Sequence, residues 1–129
     1  MDLQQFQDEQ EIKAVIARYL EGSNKGDSSI LRPCFHTDAV LYWDGADTDA
    51  HSHAIEWFFD AIDRMGPDDD PQPKSCVDVL SITGGIALVK VGETWKGMAY
   101  TDYMSLVRTP EGWKIAAKLF HNHSADLSK

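Results

Sequence analysis

The sequence is poor in cysteine and in positive charge. Its 129 residues contain two cysteines, Cys34 and Cys76, which lie far apart without the C-x-x-C spacing of a metal finger or a disulfide framework. Lysine and arginine total 12 against 21 aspartates and glutamates, a net charge of -9 that repels phosphate backbones and anionic membranes. We therefore expect a reducing, cytoplasmic location and no nucleic-acid partner.

Long apolar runs and familiar catalytic motifs are also missing. No apolar segment approaches the roughly 18 residues that span a bilayer, so no membrane partner is expected. G-x-S-x-G, Walker, G-x-G-x-x-G and H-E-x-x-H motifs are absent. Two H-x-H pairs, His51 with His53 and His121 with His123, hint at a metal, but nothing in the sequence brings them together. We expect neither a metal nor a cofactor.

The first half of the chain has helical periodicity. Apolar residues recur at i, i+3, i+4, i+7 and i+8 between Asp8 and Glu21 and predict a helix that ends at Gly22. A short second helix should begin near Ser28 and be limited by Pro33. The elements that follow are a strand and an aromatic helix with a Ser52 cap: Asp38–Trp43 and Ser52–Met65.

The second half is rich in β-branched and aromatic residues. The segment Gly66–Lys74 holds three prolines and three consecutive aspartates, which predicts a solvent-exposed loop. Four predicted strands follow: Cys76–Thr83, Ile86–Trp95, Met98–Arg108 and Trp113–His121. Their short connections require antiparallel hairpins. Helices first and strands last indicate an α+β fold in which a curved antiparallel sheet wraps the helices as a cone with an open, pocket-forming end.

Three polar residues are candidates for catalysis. Tyr19 lies on the apolar stripe of the first helix and either donates to a ligand or is a core tyrosine bonded to backbone. Asp102 lies within a strand and is either an acid or base facing the cavity or one partner of an ion pair. In regular alternation His121 shares a face with Trp113 and Ile115, as a general base or a structural histidine, and a bulge would reverse this facing.

Five further residues are candidates for lining the pocket. They are predominantly aromatic, and each taken alone is also typical of a core: His36, Tyr42, Trp43, Trp57 and Phe58. Gathered around one cavity they would favour a small apolar or aromatic molecule.

Several short motifs resemble those of a known superfamily. Ala17-Arg18-Tyr19-Leu20-Glu21, Gly26-Asp27 and Phe35 to Val40 resemble the nuclear transport factor 2-like superfamily, which includes ketosteroid isomerase and the SnoaL-like polyketide cyclases. Phe35-His36, Tyr100 to Leu106, Gly112 to Ile115 and Lys118 to His121 look most like its putative lumazine-binding proteins. The resemblance implies one domain over residues 1–129 with a cone-shaped, cystatin-like fold, and a homodimer through the outer sheet face.

The resemblance carries over to the catalytic positions only in part. Tyr19 falls where ketosteroid isomerase has its oxyanion-hole tyrosine. The general-base position instead holds Trp43, with Asp44 one residue later, and the second oxyanion acid falls on Ser105. A one-residue offset turns a strand side chain to the opposite face, which argues against steroid-type isomerisation.

Two functional hypotheses follow. The first is a small-molecule-binding protein of uncharacterised role with an apolar and aromatic pocket. The alternative is an acid-base enzyme of the isomerase, dehydratase or cyclase kind, in which Asp102 or His121 takes a proton and Tyr19 stabilises an enolate. The second requires Tyr19, Asp102 and His121 to converge on one cavity.

Overall fold

The computed structural model describes residues 2–45 and 51–124. The helices are α1 (Leu3–Lys25), α2 (Ser28–Leu31), which continues into a 3₁₀ turn at Arg32–Cys34, and α3 (Ile55–Met65). The strands are β1 (Phe35–Trp43), β2 (His51–Ala54), β3 (Ser75–Thr83), β4 (Ile86–Trp95), β5 (Met98–Thr109) and β6 (Gly112–Asn122). None of the helices among these residues is both long and apolar enough to cross a membrane.

Helix α1 is longer than its apolar stripe, and the predicted end at Gly22 is wrong. The Asp2 side chain caps its start by accepting from the Gln5 backbone N–H at 2.7 Å. Gly26, with φ of 65°, ends the helix in the left-handed conformation. Gly22 instead allows a close approach, since a Cβ there would lie 2.8 Å from Leu31 Cγ. The packing of α2 against α1 therefore explains this glycine.

The predicted start of the third helix at Ser52 is also wrong. Residues His51–Ala54 form β2, which pairs antiparallel with β1 and places Val40 opposite Ala54. Helix α3 begins only at Ile55, and its N-cap residue makes no side-chain hydrogen bond. Backbone pairing with β1 thus overrides the capping signal of the serine.

One six-stranded sheet has the order β2-β1-β6-β5-β4-β3. Strands β3 to β6 pair antiparallel in sequence, as predicted, and β1 pairs parallel to β6. Buried residues of α1 and α3, among them Ile12, Ile16 and Phe59, form the core with the inner face of the sheet. This arrangement is the expected α+β fold, and its open, curved sheet confirms the predicted fold class.

A bulge in β6 changes which side chains face the helices. Leu106 pairs with Ile115, but Ser105 pairs with Ala117, so Ala116 is an extra residue in β6. Ile115 is buried before the bulge, and Lys118 is buried after it. The regular alternation predicted for this strand is therefore wrong beyond Ala116.

Candidate active site

A cavity of about 240 Å³ opens between α1, α3 and the sheet. Its wall is mostly apolar and aromatic: Trp43, Trp57, Phe58, Ile62, Met65, Trp95, Met98 and Phe120. The rings of Trp43 and Phe120 stack at 5.8 Å with an interplanar angle of 7°, which forms a flat surface on one side. A pocket of this kind suits a small, flat, apolar molecule.

Four polar side chains meet at the inner end of this cavity, and we call them the quartet: Tyr19, Glu93, Asp102 and Lys118. The Tyr19 hydroxyl oxygen lies 3.0 Å from Glu93 Oε1 and 3.0 Å from Asp102 Oδ2. Lys118 Nζ donates to that hydroxyl and to Asp102 Oδ2, both at 2.9 Å. Each member comes from a different element, namely α1, β4, β5 and β6. Tyr19, Glu93 and Lys118 border the cavity, whereas Asp102 lies behind them, fully buried.

The hydrogen count of the quartet points to a shared proton. A phenol carries one hydrogen and can donate to only one of the two carboxylates. The Lys118 ammonium already donates to the hydroxyl oxygen. The remaining short oxygen–oxygen contact needs a second hydrogen, and a protonated Glu93 supplies it. A neutral Glu93 also leaves the quartet with one positive charge, on Lys118, and one negative charge, on Asp102.

Electrostatics agree with this assignment. Desolvation, followed by repulsion from Asp102, raises the pKa of Glu93 to about 7, although Lys118 acts in the opposite direction. Desolvation and the nearby carboxylates raise the pKa of Tyr19 well above its ordinary value, so the phenol stays protonated. Glu93 can therefore give or take a proton near neutral pH. Its second oxygen, Oε2, is buried without a hydrogen-bond partner in the described part of the chain.

Lys118 is held among aromatic rings. Its Nζ lies 4.8 Å from the ring centre of Phe120, 5.3 Å from that of Phe58 and 5.2 Å from that of Tyr19. Its side chain is only 4% exposed. The ammonium group is thus stabilised by one carboxylate, one hydroxyl and the faces of these rings rather than by water.

The structure brings two of the three predicted catalytic residues together. Tyr19 and Asp102 are in direct contact in the quartet. His121 lies after the bulge and pairs with Thr101, on the face opposite Asp102 and Phe120. Its Nδ1 lies 2.7 Å from Asp44 Oδ2, outside the cavity wall. The three side chains therefore do not converge on the cavity, and because Asp102 does not border it either, the predicted mechanism fails its geometric requirement with either Asp102 or His121 as the base.

Three of the five predicted pocket residues line the cavity, and two lie elsewhere. Trp43, Trp57 and Phe58 line the cavity. Tyr42 is 45% exposed on the outer face of the sheet, because it alternates with the inward-facing Leu41 and Trp43. His36 lies at the beginning of β1, where its Nδ1 accepts from the Asp38 backbone N–H at 3.0 Å, and it does not line the cavity.

The histidine pairs do not form a metal centre in the described part of the chain. Over residues 2–45 and 51–124, no three His, Cys, Asp or Glu side chains are grouped so as to hold a metal ion. The His53 ring stacks on Trp57 at 4.2 Å, and the His121 and His123 rings contact each other at 4.8 Å.

Two members of the quartet, Glu93 and Lys118, were not predicted. The sequence does indicate that Glu93 faces inward, because it continues the alternation of Ala87, Val89 and Val91, all of which are buried. It gives no such indication for Lys118, since regular alternation places it on the outer face and only the bulge turns it inward. An ion pair with a lysine on an adjacent strand was nevertheless one of the two interpretations of Asp102.

The family of the chain follows from comparison with known sequences. A family model described as "Putative lumazine-binding" matches residues 7–121. The chain belongs to this family. A relative from Cladobotryum sp, described as "Aldolase FrzH", is 30% identical over 118 residues, which cover 88% of this chain and 92% of that protein.

Solved structures extend the family to a wider fold group. A nuclear transport factor 2-like protein of unknown function from Shewanella baltica superposes with a TM-score of 0.85 at 28% identity, covering 92% of this chain and 95% of the other. A ketosteroid isomerase-like protein from Erwinia carotovora atroseptica gives 0.65 at 18% identity, over 87% and 93% of the two chains. At that identity the second likeness shows the fold alone. Together with the sequence match, these structures confirm the predicted superfamily and family.

Proposed function

We propose that this protein is an acid-base enzyme that removes a proton from the carbon next to the carbonyl group of a small apolar compound. The observation that supports this most directly is Glu93, a carboxyl group with a pKa of about 7 that borders an apolar cavity beside Lys118 and Tyr19. General bases work best when their pKa lies near the working pH. The geometry therefore favours the enzyme over the binder.

Each member of the quartet has a separate part in this proposal. Glu93, once ionised, takes the proton from the α-carbon. The negative charge that develops on the carbonyl oxygen is stabilised by the positive charge at Lys118 and by the protonated Tyr19 hydroxyl. Asp102 touches no ligand and acts as a positioning residue, because it holds both Lys118 and Tyr19 at hydrogen-bond distance.

One relative is consistent with carbonyl chemistry of this kind. The curated relative is described as an aldolase, and aldol reactions begin or end with an enolate or its equivalent. The apolar wall and the cavity of about 240 Å³ limit the ligand to a molecule of one to three small rings or a comparable chain.

Exchange of carbon-bound hydrogen with solvent deuterium tests this function directly. In D₂O the wild-type protein should speed deuterium incorporation into 2-tetralone or related benzylic ketones, with a rate that rises with pH through about 7 as Glu93 ionises. Glu93→Gln should lower that rate by roughly 100-fold or more. Glu21→Gln, on the exposed side of α1, is the matched control and should leave it unchanged.

Failure of this experiment has a clear form. Deuterium incorporation that is no faster with the protein than in buffer alone, for every ketone tested, would contradict the proposal. Equal incorporation rates for the wild type and Glu93→Gln would contradict it as well.

A non-catalytic binder is the second candidate, favoured by the stacked Trp43 and Phe120 rings. Lumazine, a flavin or a polycyclic aromatic compound should then raise the melting temperature, because a ligand of the native state alone stabilises it. Glu93→Gln should retain this shift, because the stacked rings and not Glu93 provide the binding surface. No shift with any of these compounds would contradict the binder.

We also propose that the outer sheet face pairs two copies of this chain. Tyr42, Leu119 and Tyr103 lie opposite one another in register on β1, β6 and β5. Each is at least 42% exposed, so they form a contiguous apolar row. Light scattering should report a dimer for the wild type and a monomer for Leu119→Lys. A monomeric wild type would contradict the proposed pairing. Cytoplasmic location remains a prediction.

A further inference from the structure

Lys118 is chemically the most unusual residue of the cavity wall. Most lysines keep their ammonium group in water. The Lys118 side chain is only 4% exposed, extends from the bulged strand β6 and borders an apolar cavity. Among the described residues that line the cavity, it alone carries an amine. An amine so placed is within reach of any carbonyl compound that fills the space.

We propose that Lys118 binds its ligand covalently, as a Schiff base with an aldehyde or ketone. This inference rests on the proposed function and names its covalent step. Removal of the α-proton then leaves an enamine, and the electrons that would collect on a carbonyl oxygen are drawn toward the iminium nitrogen instead.

The step balances within the quartet. Asp102 Oδ2, 2.9 Å from Nζ, takes a proton from the ammonium group, and the freed lone pair forms a bond to the carbonyl carbon. Glu93 in its acid form protonates the carbonyl oxygen, then takes the second proton from the nitrogen of the resulting carbinolamine and delivers it to the hydroxyl group, which leaves as water when the carbon–nitrogen double bond forms. The proton held by Asp102 returns to Glu93 through the Tyr19 hydroxyl, which lies 3.0 Å from a carboxyl oxygen of each, so Asp102 is again an anion and Glu93 again an acid. Over the whole sequence nitrogen loses two hydrogens, the carbonyl loses its oxygen, and one water is released. The positive charge stays on nitrogen.

The site suits this chemistry because the lysine nitrogen carries one positive charge both before and after the reaction. Asp102 pairs with the ammonium before the reaction and with the iminium after it, so no buried charge is left without a partner. The rings of Phe58 and Phe120, at 5.3 and 4.8 Å from Nζ, stabilise either cation. Water would reverse the step, and the apolar wall limits its access.

Reductive trapping tests the inference on the wild-type protein. Sodium cyanoborohydride reduces an iminium and leaves a free ketone largely intact, so incubation with 2-tetralone should give a stable secondary amine. Intact mass should rise by one ligand less one oxygen, and peptide mapping should place the adduct on Lys118. Lys118→Arg should lose it, whereas Lys90→Arg, which changes an exposed lysine of β4, should keep it.

The outcomes separate this inference from the proposed function. Adducts confined to exposed lysines, with Lys118 unmodified, would overturn the Schiff base. Deuterium exchange without an adduct would overturn it as well, while leaving the acid-base function intact. An adduct on Lys118 without exchange would support the covalent site and contradict the proposed function. Because mapping uses the wild-type chain, the test does not depend on whether Lys118→Arg folds.

Discussion

Two polar clusters lie on the same buried face of α1, one around Asp8 and one around Tyr19. They are 11 residues apart on the helix, about 16 Å along its axis. Asp8 Oδ2 accepts from Arg108 at 2.5 Å, and its Oδ1 accepts from Trp113 Nε1 at 3.2 Å and from Gln4 at 3.1 Å. Both oxygens of this carboxylate are therefore satisfied by donors.

The two clusters shift the pKa of their carboxyl groups in opposite directions. Burial alone would raise the pKa of Asp8, but hydrogen bonds from Arg108, Trp113 and Gln4 lower it below its ordinary value. Burial and the neighbouring Asp102 raise the pKa of Glu93 to about 7. Asp8 is thus locked as an anion at neutral pH, while Glu93 changes its charge there. A buried acid can therefore have either a structural or a chemical role, and the number of hydrogen-bond donors around it decides which.

The largest effect should come from removing the cation of the quartet. Lys118→Met leaves Asp102 buried without its positive partner and should lower the free energy of unfolding by about 3 to 5 kcal/mol. The double variant Lys118→Met/Asp102→Asn removes both charges and should recover most of that loss. Urea denaturation measures both. A loss under about 1 kcal/mol in the single variant, as for a surface pair, would contradict the arrangement described.

The dependence of stability on pH should have opposite signs in the two clusters. The unfolded chain releases the Glu93 proton near pH 4.5, whereas the folded chain holds it until about pH 7. Stability should therefore fall as pH rises through this window, by about 3 kcal/mol in total. Asp8, whose folded pKa is lowered, contributes stability above its ordinary value of 3.8 that is lost as pH falls through its folded pKa.

Denaturation between pH 3 and pH 8 separates these contributions. Glu93→Gln should remove the decline between pH 4.5 and pH 7 and make the protein more stable than the wild type above it. Asp8→Asn should leave that decline in place and reduce the loss of stability that occurs as pH falls through the folded pKa of Asp8. If Glu93→Gln keeps the wild-type pH profile, Glu93 does not carry the extra proton.

The smallest effect is expected at the exposed end of the Asp8 cluster. Arg108 is 40% exposed, so solvent screens its ion pair with Asp8. Arg108→Gln should lower the free energy of unfolding by about 1 kcal/mol and leave deuterium exchange unchanged. A large loss of exchange in this variant would mean that the two clusters are coupled and that their separate roles are an oversimplification.

Much of the fold was predictable because it depends on local patterns. The last four strands alternate apolar and polar residues between short turns, and the boundaries of Ile86–Trp95 were predicted to the residue. The start of α3 was not, since β2 forms only by pairing with β1, a partner that the local sequence does not reveal. Tyr19 and Asp102 were predictable for a related reason, because each is a polar residue where the pattern calls for an apolar one.

Local patterns were enough to predict the helical segments, the meander, the acidic character of the chain and an aromatic stretch suited to line a pocket, because periodicity and composition act over a few neighbouring residues. The inward direction of Lys118 and the outward direction of His121 depend instead on how β6 pairs with its neighbouring strands. One extra residue, Ala116, reverses the two faces of β6 beyond it. A bulge is set by register across two strands, and register depends on partners that are distant in the chain.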